Sequence, residues 1–321
     1  MSGKKPEFKR CAVVVNPTST NYNRGQHEIK QLANLFLIDN LEIIEVSSND
    51  YTRPSWLITR LNAAVDKKTL LAVAGGDGTL NLIVDTILRS TEVSDAVRKA
   101  VILPLWAGNA NDLAHMANGN PPASMESLFK NATVATVYPL AVNTKHRSKT
   151  TTKLAASYVS IGASAYVSAR INHPSYRRRR LYRLPGGRNL TDMATVTRAF
   201  IWAATFESII DGKRRRIYDI VMVNGSRMAK VSRIPVKLTD KSFYEMLVVR
   251  KHPLILSSLV QILRGILIER RTHTERELTV NETTWAQVDG EALRIPGETD
   301  VVVRHYDQPF YLLSTKLQSD N

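Results

Sequence analysis

The first part of the chain alternates between short apolar runs and segments whose apolar residues recur at three- and four-residue spacing. Four runs are typical of buried strands: Cys11–Val15, Leu41–Val46, Thr69–Ala74 and Ala100–Leu105. The segments between them predict amphipathic helices, with apolar stripes at Ile29, Leu32, Ala33, Phe36 and Leu37, at Leu57, Leu61, Ala64 and Val65, and at Leu80, Ile83, Val84, Ile87 and Leu88. Strands that alternate with helices predict a parallel sheet covered on both faces.

From about Tyr138 the pattern changes to strand-like segments that follow one another with turns and few helices. Four such segments are Leu154–Gly162, Arg216–Gly225, Phe243–Arg250 and Asp300–Tyr306, and helical exceptions are expected near Asn189–Ile210 and Leu254–Glu269. We therefore predict an α/β protein: an N-terminal αβα domain over residues 10–138, then a β-rich, sandwich-like domain over residues 139–308.

Composition narrows the classes of protein that fit this pattern. With 321 residues, 43% of them hydrophobic, the chain can bury two cores and is not a disordered protein. The formal net charge of +15 favours an anionic partner: nucleic acid, an acidic membrane surface or a phosphorylated ligand. The single cysteine, Cys11, excludes an internal disulfide and a cysteine metal cluster, and fits a reducing cytoplasm.

Neither the start of the chain nor its most apolar later window predicts a membrane-spanning segment. The start, "MSGKKPEFKR", lacks the apolar stretch of a secretion signal. The most apolar later window, Pro253–Ile268, is shorter than a bilayer span and contains Arg264. We therefore expect a soluble, cytoplasmic protein that contacts membranes from one side only.

A glycine-rich stretch, "AVAGGDGTLN", joins the third predicted strand to the third predicted helix. Gly75, Gly76 and Gly78 permit close approach of a ligand, and Thr79 is positioned to cap a helix that starts at Leu80. A helix N-terminus presents amide N–H groups to anions, so the stretch predicts a phosphate site. Asp77 would repel phosphate unless a cation such as Mg²⁺ lies between them. The alternative is a glycine-rich turn in which Asp77 is only a capping residue.

The motif "GGDGTLN" resembles the signature of the diacylglycerol kinase catalytic domain family, which includes soluble bacterial lipid kinases and sphingosine kinases. Three further motifs are similar to those of the family and occur in the family's order: "VVVNPTS" at Val13–Ser19, "AGNANDLA" at Ala107–Ala114 and "VDGE" at Val288–Glu291. Taken alone, the last two are also compatible with an Asx-capped helix start and a hairpin turn. The four motifs together span nearly the whole chain.

The resemblance implies an ATP- and Mg²⁺-dependent lipid kinase with a defined set of site residues. ATP would be bound by Asn16, Gly75, Gly76, Asp77, Gly78, Thr79, Gly108 and Asn111. Mg²⁺ would be held by Asp77 and Asp112, and a structural ion by Asp240, for which a plain turn is an equal alternative. Glu291 would accept the proton of the lipid hydroxyl, with Asp289 orienting the turn or a metal-bound water. The family fold also implies that residues 309–321 pack back on the first domain.

Several positions depart from the family pattern. Trp106 replaces a proline before the second glycine loop, Asn109 replaces a threonine, and Pro139 stands where many bacterial members have an aspartate. After Asn224 the chain reads "GSRMAKVSR" in place of a glycine pair. The departures make a divergent kinase, or one with reduced activity, an alternative to a typical family member.

The densest charge is "YRRRRLYR" at Tyr176–Arg183, followed by Arg188. Such runs are usually solvated loops. Arg177–Arg180 could also hold the protein against anionic lipid headgroups, and Tyr176 and Tyr182 leave open a nucleic-acid surface with base stacking.

Three hypotheses follow from the sequence. The first is an ATP-dependent kinase of a diacylglycerol-like or sphingoid lipid, bound peripherally to anionic membranes. The second is a kinase similar to NAD kinase, although that family's later Asn-Glu and Thr-Gly-Ser motifs are not found at suitable distances. The third is a catalytically impaired nucleic-acid-binding or regulatory protein, which the presence of Asp77, Asp112 and Glu291 disfavours. We expect the first and no nucleic-acid partner, and leave a homodimer open.

Overall fold

A computed structural model of the chain describes residues 7–47, 54–108, 111–172, 195, 197–198, 201–228, 234, 236–249 and 268–317. The described chain divides into two compact units. The first contains residues 1–139, 224–241 and 306–321, and the second contains residues 140–223 and 242–305. The division differs from the boundaries inferred from the sequence, because residues 224–241 and 306–308 are grouped with the first unit.

The first unit is an αβα domain built on a six-stranded sheet of order β2-β1-β3-β4-β18-β5. Strands β1 to β4 are parallel, and β18 is parallel to β4 and antiparallel to β5. Its strands are β1 Arg10–Val15, β2 Leu41–Glu45, β3 Thr69–Ala74, β4 Val101–Pro104, β5 Thr133–Val137 and β18 Phe310–Ser314. The chain therefore returns at its end to complete the sheet with which it began.

Six helices connect these strands, together with a short 3₁₀ helix at Ile38–Asn40. They are α1 Tyr22–Phe36, α2 Pro54–Ala64, α3 Asp77–Arg89, α4 Asp95–Arg98, α5 Asp112–Asn118 and α6 Met125–Asn131. Strand β3 is buried along its whole length, as expected for a central parallel strand. The core contains apolar residues of the strands and of α1, such as Val13, Leu32, Ala72 and Leu313.

The second unit consists of two six-stranded antiparallel sheets, of orders β10-β9-β14-β17-β6-β7 and β13-β12-β11-β8-β15-β16. Their strands are β6 Leu140–His146, β7 Lys149–Ala155, β8 Tyr158–Gly162, β9 Phe206–Ile210, β10 Lys213–Ile217, β11 Asp219–Val223, β12 Phe243–Val248, β13 Ile268–His273, β14 Glu275–Val280, β15 Thr284–Val288, β16 Glu291–Ile295 and β17 Thr299–His305. Residues of both sheets, among them Phe206, Phe243 and Val301, form one core, which makes the unit a sandwich. Helix α7, Ala163–Asn172, packs on strands of the second sheet.

The structure confirms the predicted fold class and corrects several elements. The expected strand Leu154–Gly162 is two strands, β7 and β8, with a turn at Ala156 and Ser157. The expected strand Arg216–Gly225 is divided between β10 and β11, which lie in different sheets. The last part of the expected helix Asn189–Ile210 is strand β9, because its alternately buried residues pair with β10 and β14. Residues 254–267 of the other expected helix lie outside the described residues, and Ile268 begins β13.

No helix in the described ranges combines the length and the apolar character that crossing a membrane requires.

Candidate active site

The first glycine loop follows β3 and leads directly into α3. Gly76 is the N-cap residue in an extended conformation, and the helix begins at Asp77, so Gly78 and Thr79 lie in its first turn. The expectation that Thr79 caps a helix starting at Leu80 is therefore wrong, because the helix starts three residues earlier. A Cβ atom at Gly75 would lie 2.4 Å from the Thr79 Cβ atom, so this position requires glycine. The loop brings the positive end of α3 to the carboxyl edge of the sheet, where an anion is stabilised.

A second glycine loop follows β4 and meets the first. A Cβ atom at Gly108 would lie 2.5 Å from the Gly76 Cα atom, so the two loops approach at their backbones. Asn111, in the left-handed conformation with φ of 52°, is the N-cap residue of α5. Its side chain accepts a hydrogen bond from the Gly108 N–H at 2.7 Å and donates one to the Gly108 carbonyl at 3.0 Å. Asn109, a departure from the family pattern, lies outside the described residues.

Asn16 ties the end of β1 to the first glycine loop. Its side-chain Nδ2 donates to the Thr79 Oγ1 at 3.0 Å, and its Oδ1 accepts from the Thr18 N–H at 3.0 Å and from the Thr18 hydroxyl at 2.7 Å. These contacts make Asn16 a positioning residue for α3. A concavity lies at the two glycine loops. Its lining residues are Val73, Gly75, Gly76, Asp77, Leu80, Pro104, Leu105, Asn111 and Ala114.

Two carboxylates, Asp77 and Asp112, lie at this junction. The Asp77 Oδ1 accepts a hydrogen bond from the Leu113 N–H at 3.4 Å. Burial, and then repulsion by Asp112, raise the pKa of Asp77 to about 6, although amide groups of α5 oppose this rise. Two carboxyl groups that repel each other away from water are stabilised by a cation between them.

Mg²⁺ fits this pair of carboxylates. In nucleotide sites Mg²⁺ is usually held by one or two carboxylates together with phosphate oxygens and water. Within the described residues no group of three or more histidine, cysteine or acidic side chains could hold a metal ion by itself. The two carboxylates therefore suit an Mg²⁺ ion that is also held by phosphate oxygens and water.

Asp112 also has a cationic neighbour that sequence reasoning did not assign. The Asp112 side chain is fully buried, and its Oδ1 lies 3.4 Å from the Arg227 Nε. Arg227 belongs to the "GSRMAKVSR" stretch that departs from the family pattern. That departure was the only sequence signal for the contact.

Asp240 closes a turn in the structure. Its Oδ2 accepts a hydrogen bond from the Lys237 N–H at 3.1 Å, and its own N–H donates to the Lys237 carbonyl at 3.1 Å. These contacts favour the turn alternative over a metal ligand.

Asp289 and Gly290 form the two-residue turn of the β15–β16 hairpin. Both have positive φ, 43° and 89°, and Val288 pairs with Glu291, as in a type I′ turn. The buried Asp289 carboxylate accepts hydrogen bonds from the N–H groups of Ala156, Ser157 and Tyr158. These contacts favour the expectation that Asp289 orients the turn, since three backbone donors occupy its oxygens, and its other expected role, orienting a metal-bound water, stays a prediction.

Glu291, the candidate base, is the first residue of β16 and is exposed. Its Oε1 lies 2.7 Å from the Nζ of Lys153 on β7. The ion pair joins the start of β16 to β7 and places a cation beside the candidate base. Lys153 was not identified from the sequence, because nothing local links residues so far apart.

Trp106, another departure, is buried and joined to α1. Its backbone N–H donates a hydrogen bond to the Glu28 Oε2 at 2.9 Å, a contact that the proline of the family pattern could not make. Burial raises the pKa of Glu28 to about 7, against the lowering effects of this N–H and of Arg24. The sequence signal for this contact was a glutamate on the apolar face of α1, beside Ile29 and Leu32.

Comparison with known proteins agrees with this geometry. Residues 10–138 match the sequence profile of the diacylglycerol kinase catalytic domain, and no curated protein sequence matches the chain. A candidate diacylglycerol kinase from Bacillus anthracis str. Sterne has a similar structure, with a TM-score of 0.65, 17% identity and coverage of 98% of both chains. A second diacylglycerol kinase structure from that organism has a TM-score of 0.59 at 15% identity, covering 96% of this chain and 97% of its own.

A yeast NADH kinase complexed with NADH is also similar in fold. Its TM-score is 0.52 at 9% identity, with coverage of 96% of this chain and 84% of the yeast chain. At such identities the structural matches establish the fold alone. The chain therefore has the fold of these kinases, and its residues 10–138 match the diacylglycerol kinase catalytic domain family.

Proposed function

We propose that the chain is an ATP-dependent lipid kinase that transfers the γ-phosphate of ATP to a lipid hydroxyl. The observation that carries the proposal is the meeting of two glycine loops at Gly76 and Gly108, with Asp77 and Asp112 beside them. Phosphoryl transfer depends on positioning the phosphates and neutralising their charge. The backbone at Gly76 and Gly78 and the N-terminus of α3 suit the first task, and the carboxylate pair suits the binding of a cation for the second.

The proposed chemistry assigns a role to each group. Asp77 and Asp112 would hold Mg²⁺, which would supply positive charge to the phosphate oxygens. The oxygen of the lipid hydroxyl forms a bond to the γ-phosphorus while the bond from that phosphorus to the β–γ bridging oxygen breaks. Glu291 accepts the hydroxyl proton, and Lys153 orients the Glu291 carboxylate before the transfer.

The acceptor is proposed to be a diacylglycerol-like or sphingoid lipid, and the family of the first domain supports the lipid class. The fold similarity to a yeast NADH kinase makes a dinucleotide the second candidate. The net charge of +15 supports a peripheral association with anionic membranes from the cytoplasm. No nucleic-acid partner is proposed.

The test is phosphorylation by labelled ATP of a panel of acceptors. Diacylglycerol, sphingosine, ceramide, NAD and NADH are supplied separately, the lipids in mixed micelles, with Mg²⁺ or with a chelator. We expect one labelled lipid that requires Mg²⁺. Label in NAD or NADH alone would favour a dinucleotide kinase over a lipid kinase, and no label in any acceptor would reject both functions.

Glu291→Gln tests the assignment of the base. Glutamine keeps the shape but accepts no proton, so we expect kcat to fall by about 10²- to 10⁴-fold while calorimetry shows unchanged ATP affinity. Glu282→Gln is the control, because Glu282 is another exposed, ion-paired glutamate of the same unit. Retained turnover with weakened ATP binding would instead make Glu291 a structural residue.

A further inference from the structure

A guanidinium group lies at the carboxylate pair that the proposed function assigns to Mg²⁺. Asp112 has no exposed side-chain surface, whereas the Arg227 side chain is 32% exposed. The Arg227 Nε lies 3.4 Å from the Asp112 Oδ1. A buried carboxylate is costly unless positive charge lies near it, so Arg227 offsets part of the cost of burying the Asp112 side chain.

The backbone before Arg227 is fixed against the first unit. The Asn224 Nδ2 donates a hydrogen bond to the Tyr138 carbonyl at 2.8 Å. Gly225 has φ of 114°, and a Cβ atom there would lie 2.6 Å from the sulfur of Met116, a residue of α5. The same helix begins at Asp112. The segment is thus held against the helix that carries the carboxylate.

We propose that Arg227 is a built-in counter-cation that makes metal binding at Asp77 and Asp112 depend on nucleotide. A cation at Asp112 repels a second cation, so the nucleotide-free pair binds a divalent metal weakly. Arginine also binds phosphate oxygens through two parallel hydrogen bonds. When nucleotide phosphates enter, they draw the guanidinium from Asp112 and leave the carboxylate to the metal.

The inference rests on the proposed function for the identity of the nucleotide and for the assignment of Mg²⁺ to the carboxylate pair. By linkage, a metal that displaces the guanidinium must improve nucleotide binding by the same factor as nucleotide improves metal binding. The arginine therefore couples the binding of the two ligands, and its removal uncouples them.

The experiment measures Mn²⁺ binding to the nucleotide-free protein by electron paramagnetic resonance of the free ion. Removing a charge a few ångströms from the metal gives an affinity increase of about 10- to 100-fold in Arg227→Gln, with no increase in Arg227→Lys, which keeps the charge. Arg60→Gln is the control, because Arg60 pairs with the partly exposed Glu42 of the same unit, and it leaves Mn²⁺ affinity unchanged.

The thermal stability of the same variants gives a second readout. Arg227→Gln removes a positive charge beside the buried Asp112, so its Tm falls without metal and recovers with Mg²⁺, while the wild-type Tm changes little. Equal Mn²⁺ affinity of wild type and Arg227→Gln overturns the proposal, as does a variant that folds neither with nor without Mg²⁺. Both readouts omit the lipid, so failure of the lipid-kinase assay leaves them intact and their failure leaves that assay intact.

Discussion

At the scale of single residues, Asp77 connects the two glycine loops. It is the first residue of α3, and its carboxylate accepts the N–H of Leu113 at the start of α5. The raised pKa, about 6, means that burial and Asp112 act against the ionised form. A residue needed only for stability would gain from losing this charge, whereas a metal ligand must keep it.

Asp77→Asn separates these two roles. Asparagine can still accept the Leu113 N–H through its oxygen, so we expect an unchanged or higher Tm at pH 7.5 and the loss of kinase activity with Mg²⁺. Differential scanning fluorimetry and the labelled-ATP assay measure the two quantities.

Asp85→Asn is the matched control, because Asp85 lies on the same helix and pairs with Arg89 at 3.2 Å near the surface. The control should retain activity. Wild-type turnover by Asp77→Asn would show that Asp77 serves only to join the loops.

At the scale of elements, the contact between α1 and the loop after β4 depends on a buried acid. Glu28 accepts the Trp106 N–H, and its pKa is raised from 4.5 to about 7. A carboxyl group whose pKa is higher in the folded protein binds its proton more tightly there. It therefore lowers the free energy of unfolding as pH rises from about 4.5 to about 7.

Glu28→Gln should remove this fall in the free energy of unfolding at higher pH. Glutamine keeps an acceptor for the Trp106 N–H but carries no charge, so relative to wild type its free energy of unfolding should improve by up to about 3 kcal/mol between pH 4.5 and 7.5. Urea denaturation at several pH values measures the difference.

The control for this pH dependence is Glu126→Gln, an exposed glutamate paired with Lys130 on α6. It should follow the wild-type profile. A parallel pH profile for Glu28→Gln and wild type would show that Glu28 titrates in the folded protein as it does in the unfolded chain.

A second element junction, between β8 and α7, depends on Gly162. Its φ is 112°, and a Cβ atom there would lie 2.5 Å from the Tyr218 carbonyl oxygen. Gly162→Ala should lower the free energy of unfolding by about 2–4 kcal/mol, because backbone strain adds to the clash.

Gly212→Ala isolates the backbone part of that effect. Gly212 has φ of 70° with no atom within 4 Å of the added Cβ position, so we expect a loss of only about 1 kcal/mol. Equal losses in chemical denaturation would mean that the Tyr218 carbonyl moves aside without cost.

At the scale of the whole molecule, the excess of basic residues supports binding to anionic membranes. The formal charge is +15, and exposed charges are screened within about 8 Å at physiological ionic strength. We expect binding to vesicles that contain anionic phospholipid, weak binding to neutral vesicles, and a steep loss of binding with added salt in a sedimentation assay.

The arginine cluster Arg177–Arg180 provides the specific test, although it lies outside the described residues. Its replacement by glutamine should weaken vesicle binding more than the same replacement of Lys213, Arg214, Arg215 and Arg216 on β10. Equal effects would assign binding to net charge alone. Equal binding of wild type to neutral and anionic vesicles would reject the membrane role of the cluster.

The sequence by itself determined the features that depend on near neighbours in the chain. Apolar periodicity predicted β1 to β4 and helices α1, α2 and α3, because burial of a strand or a helical stripe repeats every few residues, whereas the short helix α4 was not predicted. The glycines of "GGDG" predicted the first loop for the same local reason. The resemblance carried by short motifs is confirmed over residues 10–138.

Only the tertiary structure decided what depends on residues far apart in sequence. The strand expected at Leu154–Gly162 is interrupted because the carboxylate of Asp289, more than a hundred residues later, takes the N–H groups of its turn. Three further contacts also join residues far apart in sequence: Arg227 with Asp112, Lys153 with Glu291, and Glu28 with Trp106. The buried groups among these, Asp112 and Glu28, gain partners that offset the cost of burial, and no local pattern records which distant group lies beside any of these residues.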